Sequence, residues 1–219
     1  MLFGANEHIR CRDIKKRNQR SYVNMKFSQT KIPEVILIEP LLFEDERGWF
    51  MESFNQSKFY NEIIALGFPA PRPFVQDNHS LSKRGVVRGL HYQLPPFAQG
   101  KLVRVCSGSV FDVAVDIRRG SPTFGNWVGE LLTEENKNML WIPEGFAHGF
   151  VALEESTQFL YKTTNYYNRE SERSIDWADV TLNIDWGFKE EELAASEKDK
   201  LSASFLQINK NDFFEYLNA

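Results

Sequence analysis

The sequence is short of cysteine and of long apolar runs. Its 219 residues include two cysteines, Cys11 and Cys106, which lie far apart and form no metal-ligand pair. Neither a disulfide framework nor a zinc site is therefore predicted, and both thiols are expected to be free. No apolar run approaches the roughly 18 to 20 residues of a membrane helix, and the N-terminus lacks the apolar core of a secretory signal. These absences predict a cytoplasmic protein with no membrane partner.

A large charge of either sign is also missing. The formal net charge is −4, which argues against a general nucleic-acid surface, so no nucleic-acid partner is expected. A local group of Arg and Lys can still meet the phosphates of a small ligand. With 42% hydrophobic and 14% aromatic residues, the chain has ample material for one packed core.

The start of the chain differs in composition from the rest. Residues 1–25 hold six Lys or Arg, two acids and no sustained apolar period. Such a composition is typical of a disordered or loosely attached extension. The predicted organisation is therefore a basic tail followed by a single domain over residues 26–219.

Short apolar runs closed by turn formers fill the chain from Ile32 onward, among them VILIEP, GWFMESF, VVRGLHY, NWVGELL, MLWIP and GFVAL. Regular short strands of this kind predict an all-β protein, an antiparallel sandwich or barrel. Helical spacing is confined to residues 57–66, which end at Gly67, and to residues 190–201 and 209–217. These few helices are expected to lie outside the β core.

One stretch combines a strand pattern with chemically active side chains. Residues 85–101, GVVRGLHYQLPPFAQGK, set Arg88, His91, Gln93 and Lys101 among apolar residues and turn formers, as in an active-site strand and its loop. Removing a proton from carbon requires a base that titrates near neutrality and a fixed cation where negative charge develops. His91 and Lys101 supply those two types. The alternatives are a hydrogen-bonded core histidine and a strand-edge lysine that reaches water.

Eight motifs follow one another along the chain: FEDERGWF (43–50), FVQDNHS (74–80), VVRGLHYQ (86–93), AQGKLVRV (98–105), GSVFDVAVDIR (108–118), SPTFG (121–125), WIPEGFAHGF (141–150) and FLYKTTNYY (159–167). In this order they resemble the dTDP-4-dehydrorhamnose 3,5-epimerase family, whose fold is a cupin-type jelly roll. The resemblance runs from about Lys31 to Asp199 and covers most of the chain.

The resemblance implies a function and an assembly. The implied enzyme inverts C3 and C5 of a 4-keto-6-deoxyglucose carried by dTDP, on the route to dTDP-L-rhamnose, with no redox cofactor and no metal. The implied partner is therefore a dTDP-sugar substrate. Family members pair as homodimers by exchanging N-terminal strands, so the segment after Lys31 is expected to reach a neighbouring subunit.

The resemblance also implies catalytic roles. His91 matches the general base, and Tyr161 matches the proton donor on the opposite face of the sugar. Lys101 would steady the enolate at the C4 oxygen. Asp199, in SEKD, matches the aspartate that orients the base and favours its protonated form. By residue type alone, a lone strand tyrosine such as Tyr161 is more often a core or interface residue, and Asp199 is a solvated helix residue.

Binding residues are implied in the same way. The positions that match family contacts to nucleotide, phosphates or sugar are Arg47, Glu52, Gln76, Asn78, Arg88, Lys101, His148, Tyr167, Glu172 and Lys198. Their types suit a base edge and a pyrophosphate. Beyond Asp199 the sequence reads KLSASFLQ, where many relatives carry a run of small residues and proline, so the C-terminal matches lie in a divergent region.

A single pocket that holds both Arg88 and His91 conflicts with simple strand geometry. Strict alternation places these two side chains on opposite faces of one strand. A β-bulge at Gly89 removes the conflict and is therefore predicted.

Two carboxylates in the strand VFDVAVDI need partners. Asp112 and Asp116 share one face of this strand, with Ala114 between them. Buried carboxylates are costly unless they are paired. The expected partners are Arg104, Arg118 or groups of the site itself.

Other functions remain open. A metal-dependent cupin enzyme uses His-x-His followed by a glutamate, but Gln93 stands in place of the second histidine, and Phe97 or Ala98 in place of the glutamate. A non-catalytic sugar-nucleotide-binding module would not need a base facing a proton donor. Relatives that epimerise only C3 or only C5, or that move the keto group, share the fold and the base.

Overall fold

The computed structural model describes residues 25–216, so the predicted N-terminal extension lies almost wholly outside the described residues. The strands in chain order are β1 Lys26–Gln29, β2 Ile36–Glu39, β3 Phe43–Asp45, β4 Gly48–Phe50, β5 Gln76–Ser82, β6 Val87–Gln93, β7 Lys101–Ser107, β8 Ser109–Asp116, β9 Arg118–Arg119, β10 Trp127–Thr133, β11 Met139–Ile142, β12 Phe146–Ala152, β13 Thr157–Thr163, β14 Glu172–Ser174 and β15 Phe214–Glu215. The α-helices are α1 Gln56–Ala65 and α2 Glu197–Lys200.

Two antiparallel sheets make up the body of the protein. One has the strand order β1-β2-β11-β7-β13-β5, and the other has the order β10-β8-β12-β6-β14. Strands β3 and β4 form a separate hairpin, and β15 pairs in parallel with β9. The predicted all-β antiparallel sandwich is confirmed, and each sheet keeps open edges rather than closing into a barrel.

The core lies between the two sheets. Val103, Val105 and Phe159 from the six-stranded sheet meet Val110 and Phe150 from the five-stranded sheet in one buried cluster. The outer face of the five-stranded sheet is covered as well, by Trp186, Phe205 and neighbouring apolar residues of the C-terminal segment. Because β8 is covered on both faces, seven of its eight residues are buried rather than every second one.

Helix α1 confirms the helix predicted over residues 57–66. It begins after Asn55, whose side-chain oxygen accepts from the backbone N–H of Lys58, and it is followed by Gly67 with a φ of 92°. Phe59 and Ile63, four residues apart, are its buried residues, and they pack on the outer face of the six-stranded sheet. The helix therefore covers the apolar residues that this face would otherwise expose.

The long helices predicted for the C-terminus are wrong within the described residues. Residues 190–201 contain only a 3₁₀ turn, Glu190–Glu192, and the single turn of α2, while residues 209–216 contain a 3₁₀ turn, Lys210–Asp212, and β15. Ala194 and Ala203 instead form parallel bridges with Val86 and Ile175. Backbone groups that bond to the sheet are not available for consecutive helical turns, so tertiary contacts override local helical spacing.

The two carboxylates of β8 are both paired. Asp116 accepts from Arg118, Ser121 and Thr123, as predicted for Arg118, and Asp112 is bonded within the candidate site. The suggestion that Arg104 would pair with one of them is wrong.

Of the two cysteines, Cys106 is exposed and free, as predicted. Over residues 25–216, no helix has the length and apolar character needed to cross a membrane.

Candidate active site

A cavity of about 500 Å³ opens between the two sheets and the C-terminal segment. Strands β5, β6, β7, β12 and β13 contribute to its walls, and α2 closes one side. The predicted site residues that line it together are Arg88, His91, Lys101, His148, Tyr161, Lys198 and Asp199. A cavity of this size, with several convergent polar groups, is typical of a small-molecule site.

A bulge in β6 places Arg88 and His91 in this one cavity. Along β12, His148 pairs with His91 and Phe150 pairs with Arg88, so Gly149 alone faces two residues of β6. Gly89 has a φ of 146°, and a Cβ there would lie 2.5 Å from the Gly149 Cα. Only glycine allows this close backbone approach. The bulge predicted at Gly89 is therefore confirmed.

His91 and Asp199 form a short hydrogen bond across the cavity wall. Nε2 of His91 lies 2.6 Å from Oδ1 of Asp199, whose side chain is only 5% exposed. Burial raises the pKa of Asp199, but the hydrogen bond and charge of His91 and the hydrogen bond from Ser196 together hold it below its ordinary value. The ionised carboxylate thus fixes the ring. In the tautomer that donates from Nε2, Nδ1 keeps its lone pair and can accept a proton.

Lys101 is a buried cation beside this pair. The residue is 8% exposed, and its Nζ donates to the carbonyl oxygen of His91 over 3.1 Å. Burial lowers the pKa of Lys101 to about 8, against the opposing charges of Asp112 and Glu172. At neutral pH the ammonium therefore persists inside the cavity, where low dielectric strengthens its field.

A second imidazole–carboxylate pair joins His148, which lines the cavity, to Asp112. His148 Nε2 lies 3.0 Å from Oδ2 of Asp112, which is fully buried on β8. Burial raises the pKa of Asp112 and lowers that of His148. Both shifts favour a neutral pair that shares one proton over a pair of opposite full charges. The sequence predicted that the site would satisfy Asp112 but assigned it no role. Its inward position on an apolar strand was the available signal.

Tyr161 enters the cavity from the opposite sheet. It lies on β13, where its backbone pairs with Asn78 on one side and Val103 on the other. Burial raises the pKa of Tyr161, so its hydroxyl stays protonated over the neutral range and is a proton donor. His91 and Tyr161 therefore border the same space from two sheets.

Five predicted binding residues form a hydrogen-bonded chain at the rim. Tyr167 donates its hydroxyl to Glu172 at 2.9 Å, and the Lys198 ammonium lies 2.6 Å from the same carboxylate. The Tyr167 backbone N–H donates to Gln76, whose amide donates to Asn78. Burial raises the pKa of Glu172, but the hydrogen bonds from Lys198 and Tyr167 outweigh it and keep the carboxylate ionised.

Arg47 and Glu52 do not reach the cavity of their own chain. Arg47 is exposed at the turn of the β3–β4 hairpin and pairs with Asp45 at 2.6 Å. Glu52 pairs with Lys58 at 2.7 Å. The structure thus brings together most of the predicted site residues and leaves these two outside.

The donor set does not fit a cupin metal. Gln93 holds the position of the second metal-binding histidine, and its side chain is fully engaged, donating to Phe97 and Tyr166 and accepting from Asn168. Nowhere in residues 25–216 are three or more His, Cys, Asp or Glu side chains grouped so that they could share an ion. His91 and His148 instead each bond a carboxylate.

Comparison with known proteins identifies relatives of the whole fold. The family model for dTDP-4-dehydrorhamnose 3,5-epimerase matches residues 29–207. Enzymes of that name from Pseudomonas aeruginosa and Shigella flexneri are each 58% identical, over 83% and 74% of this chain and 96% and 87% of their own. A Legionella pneumophila dTDP-6-deoxy-D-glucose-3,5-epimerase, solved in complex with dTDP-4-keto-L-rhamnose, superposes with a TM-score of 0.82 at 49% identity, over 89% of this chain and all of its own.

These matches extend through both sheets and the C-terminal segment that carries Asp199. They agree with the family indicated by the sequence motifs. The chain therefore belongs to the dTDP-4-dehydrorhamnose 3,5-epimerase family, a family of enzymes of the isomerase class.

Proposed function

We propose that this protein inverts C3 and C5 of dTDP-4-dehydro-6-deoxy-D-glucose and gives dTDP-4-dehydro-L-rhamnose, using only its own side chains. The observation that carries the proposal is that His91 and Tyr161, from different sheets, border one cavity that also contains the buried Lys101 ammonium. The relatives' names supply the substrate, and the geometry supports the reaction type.

The first step is proton removal by His91. A hydrogen on carbon next to the C4 ketone is acidic because the resulting anion delocalises onto the carbonyl oxygen. Nδ1 of His91 takes this proton. The C–H electron pair forms a double bond to C4 of the sugar, and the carbonyl electrons move onto the C4 oxygen to give the enolate. The imidazolium that forms is stabilised by the carboxylate of Asp199, whose Oδ1 lies 2.6 Å from Nε2.

Lys101 stabilises the charge that develops on the C4 oxygen. Its ammonium is buried, so water does not screen it, and its position is set before the reaction by the hydrogen bond to the His91 carbonyl oxygen. The His148–Asp112 pair backs this part of the cavity and contributes to the charge balance around Lys101. Loss of one such stabilising donor typically slows a reaction by about 10²–10³.

Tyr161 completes each inversion. Its protonated hydroxyl delivers a proton to the carbon from the face opposite His91, and the enolate electrons return to carbon to restore the ketone. His91 then releases its proton to solvent, and the Tyr161 phenolate takes up a proton. The cycle repeats at the second carbon. This division of roles requires an acid and a base on opposite walls, as the two sheets provide.

The nucleotide is assigned to the rim of the cavity. Gln76, Asn78, Tyr167, Glu172 and Lys198 supply amide, phenol and charged groups suited to a base and a diphosphate. Arg88 lies on β6 with His91 and lines the cavity, and its guanidinium suits a phosphate oxygen.

The proposed assembly is a homodimer in which the segment after Lys31 reaches the neighbouring subunit. Phe43, Trp49 and Phe50 on the β3–β4 hairpin are more than half exposed in the single chain. An exposed aromatic hairpin is typical of an interface. Such an exchange would also carry Arg47 and Glu52 to the partner's site, which accounts for their position outside their own.

Deuterium incorporation tests the function directly. The protein is given dTDP-4-dehydro-6-deoxy-D-glucose in deuterated water, and the sugar is analysed by NMR. Label at both C3 and C5 is expected. Label at one carbon would instead make the protein a mono-epimerase, a shifted carbonyl would make it a ketoisomerase, and binding without label would make it a sugar-nucleotide-binding module.

A further inference from the structure

Asp199 is held at the cavity by a segment with little regular structure of its own. It lies on α2, a helix of four residues that begins after Ser196. Upstream, both backbone groups of Ala194 are hydrogen-bonded next to the start of β6. Its N–H donates to the carbonyl oxygen of Gly85 at 2.9 Å, and its carbonyl oxygen accepts from the N–H of Val87 at 2.8 Å. One isolated helical turn is not stable alone, so the position of Asp199 depends on such anchors.

The downstream anchor centres on Asp179, for which the sequence indicated no role. One carboxylate oxygen, Oδ2, accepts from Ser204 Oγ at 2.5 Å and from the Phe205 N–H at 2.8 Å. The other, Oδ1, accepts from the N–H groups of Thr181 at 2.8 Å and Leu182 at 2.9 Å. A single side chain thereby joins the segment that follows Asp199 to the loop beneath it.

The contact is buried and held by charge. Asp179 is 4% exposed. Burial raises its pKa, but the hydrogen bonds from Ser204 and from the backbone of Leu182, Phe205 and Thr181 outweigh this and hold the pKa below its ordinary value. The Phe205 ring, next along the chain, is buried against Phe124 and Phe213. The joint therefore combines four hydrogen bonds to one buried carboxylate with aromatic packing, and a fully satisfied buried network of this kind favours one arrangement.

The distance from this joint to the catalytic pair is short along the chain. Three residues separate Asp199 from Ala203, whose carbonyl oxygen accepts from the Asp176 N–H at 2.9 Å. A displacement of the joint is passed to α2 because few flexible residues intervene. Catalytic groups need placement within about 0.5 Å, so a small shift is enough to lengthen the Asp199–His91 hydrogen bond.

We propose that Asp179 is a positioning residue for the reaction: it fixes the segment after Asp199 and so sets the separation of Asp199 from His91. The proposal rests on the proposed function, in which Asp199 stabilises the His91 imidazolium. Asp179 itself does not line the cavity, and it acts through Ser204, Phe205 and α2.

Two variants and a matched control separate positioning from general stability. Asp179→Asn removes the charge that the four donors share, and Ser204→Ala removes one bond from the tail while leaving the loop bonds to Thr181 and Leu182. Ser109→Ala is the control, because Ser109, like Ser204, is a serine whose hydroxyl donates to a carboxylate at 2.5 Å, here that of Glu154, and its described hydrogen bonds do not reach residues 194–205. Ser204→Thr keeps the hydroxyl and is the rescue variant.

The measurements are kcat and KM for deuterium incorporation, together with the low-field ¹H NMR signal of the proton between His91 and Asp199. We expect kcat to fall about tenfold in Asp179→Asn and several-fold in Ser204→Ala, with KM within about twofold, as for loss of charge-assisted hydrogen bonds. The low-field signal should shift or broaden in both. Ser204→Thr should restore both readings, and Ser109→Ala should lower the melting temperature and change neither.

The proposal is overturned if the wild-type protein exchanges deuterium and both Asp179→Asn and Ser204→Ala behave like Ser109→Ala. If Asp179→Asn does not fold, Ser204→Ala and its threonine rescue decide alone. If the wild type exchanges no deuterium, the proposed function fails, and the His91–Asp199 proton signal still decides whether Asp179 positions Asp199.

Discussion

Nε2 of His91 and Oδ1 of Asp199 lie 2.6 Å apart, although 108 residues separate them in the sequence. One residue is on a strand inside the five-stranded sheet, and the other is on a single helical turn of the C-terminal segment. The orientation of the candidate base is therefore completed only when the last part of the chain packs against the sheet.

Replacing Asp199 should reduce the rate more than the binding. Asp199→Asn keeps the size of the side chain but removes the charge that stabilises the His91 imidazolium. A hydrogen bond to a charged group is worth about 1.5–3 kcal/mol, so kcat should fall roughly 10- to 150-fold with little change in KM. Glu197→Gln is the control on the same turn, since Glu197 is exposed and pairs only with Lys200 among the contacts described. An equal loss in both variants would contradict the assignment.

Replacing His91 should abolish exchange and spare nucleotide binding. The base acts in the transition state, whereas the dTDP contacts assigned to Gln76, Tyr167, Glu172 and Lys198 do not involve it. We expect His91→Ala to incorporate no deuterium at C3 or C5 and to bind dTDP with nearly wild-type affinity by calorimetry. A parallel loss of dTDP affinity would indicate a structural histidine instead.

Lys101 predicts an alkaline limit to activity. Burial lowers its pKa to about 8, so the ammonium is present below about pH 8 and is lost above it. Wild-type kcat/KM should therefore decline through about pH 8. In Lys101→Arg the guanidinium stays protonated, so that decline should vanish even if the overall rate is lower. A decline at the same pH in both proteins would assign it to another group.

The lowered pKa of Lys101 also predicts how the free energy of unfolding depends on pH. The folded protein binds the Lys101 proton less tightly than the unfolded chain, whose amine has its ordinary pKa of 10.5. Lys101 therefore lowers the free energy of unfolding below about pH 8, and this cost fades as the pH rises from about 8 to 10.5. Lys101→Met should raise the melting temperature near neutral pH, with a smaller gain at alkaline pH. A gain independent of pH would reflect packing alone.

Local patterns in the sequence predicted much of the fold. Helix α1 was recognisable from its apolar spacing and from Gly67, and the bulge at Gly89 followed from requiring Arg88 and His91 to face one pocket. Each depends on a few adjacent residues. The C-terminal helices were wrong because Ala194 bridges to Val86 and Phe214 pairs with Arg118, contacts that helical spacing does not encode.

Long-range contacts were the part that the sequence did not predict. Asp112 was expected to need a partner, but its pairing with His148 depends on β8 and β12 lying side by side. A role for Asp179 could not be predicted, because a single acidic residue in a loop is common. Its role depends on the hydrogen bonds from Ser204 and Phe205, which form only in the folded chain. Arg47 and Glu52 were predicted by motif alone, and motif matching does not say which subunit's site a residue serves.

Tyr161 should be needed for inversion but not for proton removal. In Tyr161→Phe the ring still fills its place on β13, while the proton donor is lost. His91 can still form the enolate and return a solvent-derived proton to the same face, so deuterium should enter the unchanged substrate without product. NMR of the recovered sugar distinguishes this from an inactive protein, which would show no label. Product formation at the wild-type rate would remove Tyr161 from the mechanism.

The proposed homodimer can be tested through Arg47, which lies outside the cavity of its own chain. Sedimentation at micromolar concentration should show a dimer, and a monomer there would contradict the assembly. Arg47→Ala and His91→Ala should each be inactive alone if Arg47 serves the partner's site. Refolding the two variants together at equal amounts makes mixed dimers, in which one site has its own His91 and an Arg47 from its partner. Random pairing should then recover about a quarter of wild-type activity. If Arg47 serves its own chain, or has no role in binding, mixing will add nothing to the activity of the separate variants.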